Sequence, residues 1–179
     1  VSRPHTDPAL VHRYAPPGPI DDPWGPFVRE SAAEFAVPEP LIYAVMWAES
    51  RGCQWLNGHP MRALSGEIGL MQIPPSIYDM IRGRIGGGAD PYLPHDNIRA
   101  GAYSLSIMAR QFGWQDGLAA YQFGPTELAH ARAAGQQPPP ATQDYERRVW
   151  ADYLERTDKR EKGRRWTGPD RIVCNWPGH

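Results

Sequence analysis

Residues 38–51 read Pro38-Glu-Pro-Leu-Ile-Tyr-Ala-Val-Met-Trp-Ala-Glu-Ser-Arg51, and Gly52 follows. Proline stands where a first helical turn accepts it, because the N–H that it lacks would have no partner there. No further breaker occurs before Gly52, so the stretch predicts one helix that stops there. Ile42, Val45 and Met46 share one side of that helix. At 100° per residue, Glu49 falls within about 20° of Ile42, about 40° of Val45 and about 60° of Met46. A carboxylate therefore stands on the apolar stripe, close to the helix C-terminus. Burial removes water from its charged form, and the partial negative charge of the helix end repels it. Both effects raise its pKa. A carboxylic acid that keeps its proton near neutral pH is suited to general acid catalysis. The competing reading is a side chain that bends out to solvent or pairs with Arg51 or another base.

The helical period continues outward from this segment. Residues 97–112 put Ile98, Ala102, Leu105, Ala109 and Phe112 on one stripe, with Asp96 placed to cap the start. Residues 141–156 carry Tyr145, Val149 and Tyr153 on one face, with Trp150 and Leu154 beside them. Shorter helices are expected at 23–36, 75–83, 114–122 and 125–134. Strand alternation is nearly absent and leaves room for at most a small hairpin within 52–68. The class is mainly α, a single domain of about seven helices around one core. Seven prolines fall in the first 26 residues, where they preclude a helix or a central strand. The expected boundaries are a Pro-rich extended arm over 1–21, a helical domain over 22–160 and an irregular C-terminal tail over 161–179 that packs on it.

Composition excludes several function classes. The chain has 179 residues, with 19 Lys and Arg against 20 Asp and Glu. No basic excess drives nucleic-acid binding by phosphate neutralisation. The longest apolar run, residues 41–48, is far too short to span a bilayer. His5, His12, His59, His95, His130 and His179 are scattered and read as surface or turn residues. No zinc spacing and no HExxH pattern occurs, so no metal and no cofactor is expected. Cys53 and Cys174 form either one disulfide, tying the tail to the end of an early helix, or two unrelated buried thiols.

Two further segments carry chemistry-bearing side chains. The run Ser65-Gly-Glu-Ile-Gly-Leu-Met-Gln-Ile-Pro-Pro75 combines turn-forming glycines with Gln72, which both donates and accepts hydrogen bonds and so suits an acetamido or hydroxyl group. It is not a phosphate loop, since no Lys-Ser/Thr follows. Its other reading is a loop that packs Leu70, Met71 and Ile73 into the core. The run Ala119-Ala-Tyr-Gln-Phe-Gly-Pro125 ends a short helix with Tyr121, whose ring offers a stacking face and whose hydroxyl a hydrogen bond. Tyr121 and Tyr145 also read as core aromatics with satisfied hydroxyls.

In combination these segments resemble the catalytic domain of the soluble lytic transglycosylase (SLT) family, which has a goose-type lysozyme-like fold. Five motifs occur in the family's order: Ala48-Glu49-Ser50; Gly69-Leu70-Met71-Gln72-Ile73-Pro74-Pro75; Asp90-Pro91; Asn97-Ile98-Arg99-Ala100-Gly101; and Ala120-Tyr121-Gln122-Phe123-Gly124. Tyr145 then opens the final helix, and the resemblance spans residues 22–156. It implies that Glu49 is the single catalytic acid/base, and that Ser50, Ser65, Met71, Gln72, Tyr121, Gln122 and Tyr145 contact substrate. The substrate it implies is the MurNAc–GlcNAc strand of peptidoglycan. Tyr121 and Tyr145 would stand close to Glu49. The chain departs from the family pattern at Gln122 (usually Asn), at Glu67 (usually small) and at Ala63 (often Ser), for which Ser65 is an approximate substitute. The stretch from Glu49 to Gly69 is also long, and Trp55, His59 and Arg62 within it are expected to shape the groove.

The implied chemistry is a lytic transglycosylase reaction that ends in a 1,6-anhydroMurNAc ring. Glu67 keeps a second reading open, a lysozyme-type hydrolase in which it is the second carboxylate. Its other role is to cap a turn or to bind Arg62. A third reading is a non-catalytic wall-binding or assembly module. In that reading a secretion-system, phage or cell-wall partner meets the arm or the basic run Arg156, Lys159, Arg160, Lys162, Arg164, Arg165 and Arg171. The plainer reading of that run is a solvated, mixed-charge helix end. The chain opens Val-Ser-Arg-Pro, with no apolar leader. Either an export signal has been removed or the chain is a cytosolic fragment. The wall-directed motifs favour the first, which places the protein in the periplasm or outside the cell.

Overall fold

A computed structural model describes residues 12–161. Among the described residues, seven helices and one two-stranded ribbon follow in the order α1 (Gly25–Phe35), α2 (Glu39–Ser50), β1 (Trp55–Leu56), β2 (His59–Pro60), α3 (Pro75–Ile81), α4 (Pro94–Phe112), α5 (Trp114–Phe123), α6 (Pro125–Ala133) and α7 (Pro140–Glu161). The mainly α class and the seven helices agree with the sequence reading, and the hairpin falls inside 52–68. Asn57 and Gly58 turn it with positive φ at both positions, the backbone that a tight hairpin of this twist requires.

The core forms around α2, where Leu41, Ile42, Ala44, Val45 and Met46 are buried. Helix α7 packs along one flank of α2 and also against α5, while α1 bridges α2 and α4. Val28, Ile98, Ala102, Leu105, Leu118 and Val149 close the core from those neighbours. Proline stands in the first turn of α1, α2, α3, α4 and α6, and none of these helices has a side-chain cap. Its preset φ starts the helix and its missing N–H removes one unpaired donor.

Three expectations need correction. Asp96 does not cap α4, because Pro94 starts the helix earlier. Asp96 lies within the first turn and accepts hydrogen bonds from the Gly88 N–H at 2.7 Å and the Tyr78 hydroxyl at 3.4 Å. His95 is not a bare surface residue. It is half-buried between Asp96 Oδ1 at 3.0 Å and Glu30 Oε1 at 3.1 Å, which ties α4 to α1. His12, His59 and His130 are exposed, whereas His5 and His179 lie outside the described residues. Arg156 is not part of a solvated end. It is buried on α7 and pairs with Asp152 at 2.8 Å. Lys159 and Arg160 are engaged with Glu155 and with Glu39 of α2. Helix α7 continues through residue 161, and the rest of the expected tail, with Lys162, Arg164, Arg165 and Arg171, lies outside the described residues.

Candidate active site

Four segments converge at the C-terminal end of α2. Arg51 takes a left-handed conformation (φ 57°) and ends the helix one residue before Gly52. Its guanidinium lies 4.8 Å from the Trp47 ring. Glu49 neither bends away nor pairs with Arg51. It is half-buried, and its Oε1 accepts a hydrogen bond of 2.5 Å from the Tyr145 hydroxyl of α7. Desolvation is the largest influence on its carboxyl. The negative charge of Glu67 acts in the same direction, the Tyr145 bond opposes both, and the pKa is pushed from 4.5 up to about 7. Burial and the charge of Glu49 hold the hydroxyls of Tyr145 and Tyr121 far above their ordinary range, so both remain donors.

The Gly69–Gln72 bend packs beside this end of α2. Ser50 Oγ donates to the Leu70 carbonyl at 2.7 Å. The Tyr121 hydroxyl donates to the Met71 carbonyl at 2.7 Å, and the Met71 N–H donates to Asn97 Oδ1 at 2.8 Å. Asn97 is fully buried, and its Nδ2 donates to the carbonyls of Ile68 at 3.0 Å and Pro91 at 2.9 Å. Two glycines make this geometry attainable. A Cβ on Gly69, where φ is +78°, would come within 2.4 Å of the Asn97 amide, and one on Gly101 within 2.6 Å of the Met71 side chain. Gln72 takes a left-handed φ of 49°, rare for a residue with a side chain, and its Nε2 donates to the Gly69 carbonyl at 2.8 Å.

The structure thus brings Glu49, Met71, Gln72, Tyr121 and Tyr145 together. The remaining candidates stand differently. Ser50 is buried and spends its hydroxyl on Leu70 and Met46, so it holds the bend rather than facing a groove. Met71 offers its backbone only, since its side chain is fully buried. Ser65 is exposed and donates to Glu67 Oε2 at 2.5 Å. Gln122 is exposed at the end of α5, and its Oε1 accepts from Thr142 Oγ1 of α7 at 2.5 Å. Glu67 lies close enough for its charge to act on Glu49. The Arg62 charge acts on the Tyr92 hydroxyl, Trp55 is half-buried in β1 and His59 is exposed in β2. Cys53 is buried and is not a free thiol, whereas Cys174 lies outside the described residues.

Sequence reasoning assigned no role to Asn97, which organises the bend. The signal was available. Asn97 and Gly101 are four residues apart, so they share the buried face of α4.

Residues 26–142 match the family described as the Transglycosylase SLT domain. The chain belongs to this family. Its fold is that of the SLT lysozyme-like domain. An inactive mutant of the lytic transglycosylase Slt from Pseudomonas aeruginosa superposes with a TM-score of 0.65 at 20% identity, over 82% of this chain and 25% of that one. The 70 kDa soluble lytic transglycosylase from Escherichia coli gives 0.63 at 23% identity, over 78% and 24%. A complex of the 70 kDa soluble lytic transglycosylase with bulgecin A gives 0.63 at 21%, over 86% and 26%. This SLT chain spans about a quarter of the length of these structures. No curated protein matches it. Among its described residues, no helix is long and apolar enough to cross a membrane.

Proposed function

We propose that this SLT domain is a peptidoglycan lytic transglycosylase that cleaves the MurNAc–GlcNAc β-1,4 bond with Glu49 as its single acid/base. The observation that carries the reading is a desolvated carboxyl at the end of a core helix, held by a 2.5 Å hydrogen bond from Tyr145. With a pKa near 7 the group is a competent acid and a competent base at neutral pH.

Protonated Glu49 donates its proton to the bridging oxygen as the C1–O bond of MurNAc breaks and GlcNAc leaves with a free 4-hydroxyl. The carbonyl oxygen of the 2-acetamido group shares the positive charge at C1. Ionised Glu49 then takes the proton of the C6 hydroxyl while O6 bonds to C1 and closes the 1,6-anhydro ring. Glu49 ends protonated, and no water is consumed. The nucleophile belongs to the ring that it attacks, so the entropic cost of capturing water is avoided. Gln72 and the backbone at Met71 line the strand beside the scissile bond. A substrate of this kind places the protein in the periplasm or outside the cell.

A digest of purified sacculi tests the reading. Mass analysis should find MurNAc ends one water lighter than reducing ends, and reducing ends alone would refute it. One observation favours a second reading. Glu67 is felt electrostatically at Glu49, as expected of a second carboxylate in a water-using hydrolase. Under the transglycosylase reading Glu67 only tunes Glu49. Glu67→Gln then leaves the product mass unchanged and moves the basic limb of the pH profile to lower pH, because a nearby negative charge is gone. Loss of reducing-end product in that variant would favour the hydrolase. Tyr145→Phe has the opposite sign. It removes a donor to the charged form, so the basic limb moves to higher pH, and kcat falls about tenfold or more as the carboxyl loses its anchor. A profile that moves downward would remove Tyr145 from this role.

A further inference from the structure

Arg13 and Tyr14 lie against two separate segments of the chain. Gln54 is buried, and its amide meets both main-chain groups of Tyr14. The Tyr14 N–H donates to Oε1 at 3.0 Å, and Nε2 donates to the Tyr14 carbonyl at 2.5 Å. One side chain thus supplies the pair of hydrogen bonds that a neighbouring strand would give. The Tyr14 hydroxyl donates to Asp90 Oδ2 at 2.6 Å, and the Arg13 guanidinium lies 4.3 Å from the ring of Trp55 in β1. Burial, with the Asp90 carboxylate second, pushes the Tyr14 hydroxyl up to about 12, so it stays a donor over the whole working range.

The far side of these contacts leads to the candidate site. Asp90 Oδ1 accepts the Tyr92 N–H at 2.9 Å, which sets the path of the chain through Pro91. The Pro91 carbonyl is one of the two acceptors of Asn97 Nδ2, and Asn97 Oδ1 holds the Met71 N–H. Across the Met71 residue, Tyr121 holds the carbonyl. The left-handed Gln72 next to it is strained backbone that persists only where its neighbours over-determine it.

We propose that Tyr14 is a positioning residue of the site. It clamps Gln54, in the segment leading into β1, to the loop carrying Asp90, and through Pro91 and Asn97 it fixes the bend beside Glu49. The inference deepens the transglycosylase reading and rests on it for the kinetic readout alone.

The test uses the full chain carrying Tyr14→Phe, which deletes one hydroxyl and keeps the ring, and Gln54→Leu, which keeps the volume and deletes both main-chain bonds. Hydrogen exchange followed by mass spectrometry reads the clamp without any substrate. Amides of segments 88–92 and 69–73 should exchange about tenfold faster in either variant, while those of α5 keep their protection. With soluble uncrosslinked glycan strands, KM should rise three- to tenfold with kcat changed less than twofold, as for a displaced binding wall. Faster exchange spread evenly over the domain, or unchanged exchange at 69–73, would overturn the proposal. A fall in kcat at constant KM would mean fewer folded molecules and would overturn it too. Failure of the wild type to release any anhydro product would refute the activity reading, and the exchange experiment would still decide the clamp.

Discussion

Glu49→Gln should abolish turnover and, at the same time, stabilise the protein at neutral and alkaline pH. The loss of turnover follows because one carboxyl serves both proton transfers, each worth about 10²–10⁴-fold. The gain in stability follows from the sign of the pKa shift. The folded state holds the Glu49 proton more tightly than the unfolded chain does, with the pKa raised from 4.5 to about 7. Below 4.5 the group is protonated in both states and contributes no difference. Between 4.5 and 7 the unfolded chain ionises first, so stability falls as pH rises. Above 7 the penalty is constant, at roughly 3–4 kcal/mol for a shift of this size. Glutamine carries no charge to desolvate, and its amide oxygen still accepts from Tyr145. Thermal unfolding of both proteins should coincide near pH 4 and separate in favour of the variant by pH 8. A variant that is less stable at pH 8, or a gap that ignores pH, would show that Glu49 is not desolvated as described. Retained activity would remove it from catalysis.

The largest expected loss of stability is at Asn97→Leu. Leucine matches the size of asparagine and satisfies none of its partners. The Met71 N–H and the carbonyls of Ile68 and Pro91 would each lose a buried hydrogen bond. The Ile68 carbonyl keeps its bond from the Ile73 N–H, so two groups are stranded at about 1–3 kcal/mol each, and about 2–6 kcal/mol is expected, a large share of the stability of an ordinary domain. The melting temperature should drop by about 5–20 °C. A drop of less than about 3 °C would mean that the bend finds other partners and that Asn97 does not organise it.

Glu49 and Asn97 also show what was legible in the sequence and what was not. Both are polar residues on the buried face of a helix, and periodicity exposes that conflict directly. At Glu49 the conflict points to chemistry, whereas at Asn97 it points only to partners that are carbonyls and an N–H from loops whose paths no pattern predicts. Helix existence was legible because apolar stripes repeat over many residues. The start of α4 was misplaced because Asp96 and Pro94 both suit a helix start, and a proline that begins the helix leaves the aspartate inside it. Ser50 and Ser65 stand beside motifs, yet which way a hydroxyl turns depends on tertiary contacts. Arg156 looks in sequence like its basic neighbours, yet α2 and α7 pack together and cover it. Tyr14 and Gln54 carry no local signal, since they meet across 40 residues of chain.

The contact between Gly101 and Met71, with Gly69 against Asn97, bears on how this scaffold can be diversified. A single-site library will score these four positions as intolerant, because any added bulk at one meets an unchanged neighbour. Paired libraries, such as a larger residue at 101 with a shorter one at 71, sample combinations that stepwise change cannot reach. Anyone grafting the bend into another helical scaffold should move the four residues as one cassette.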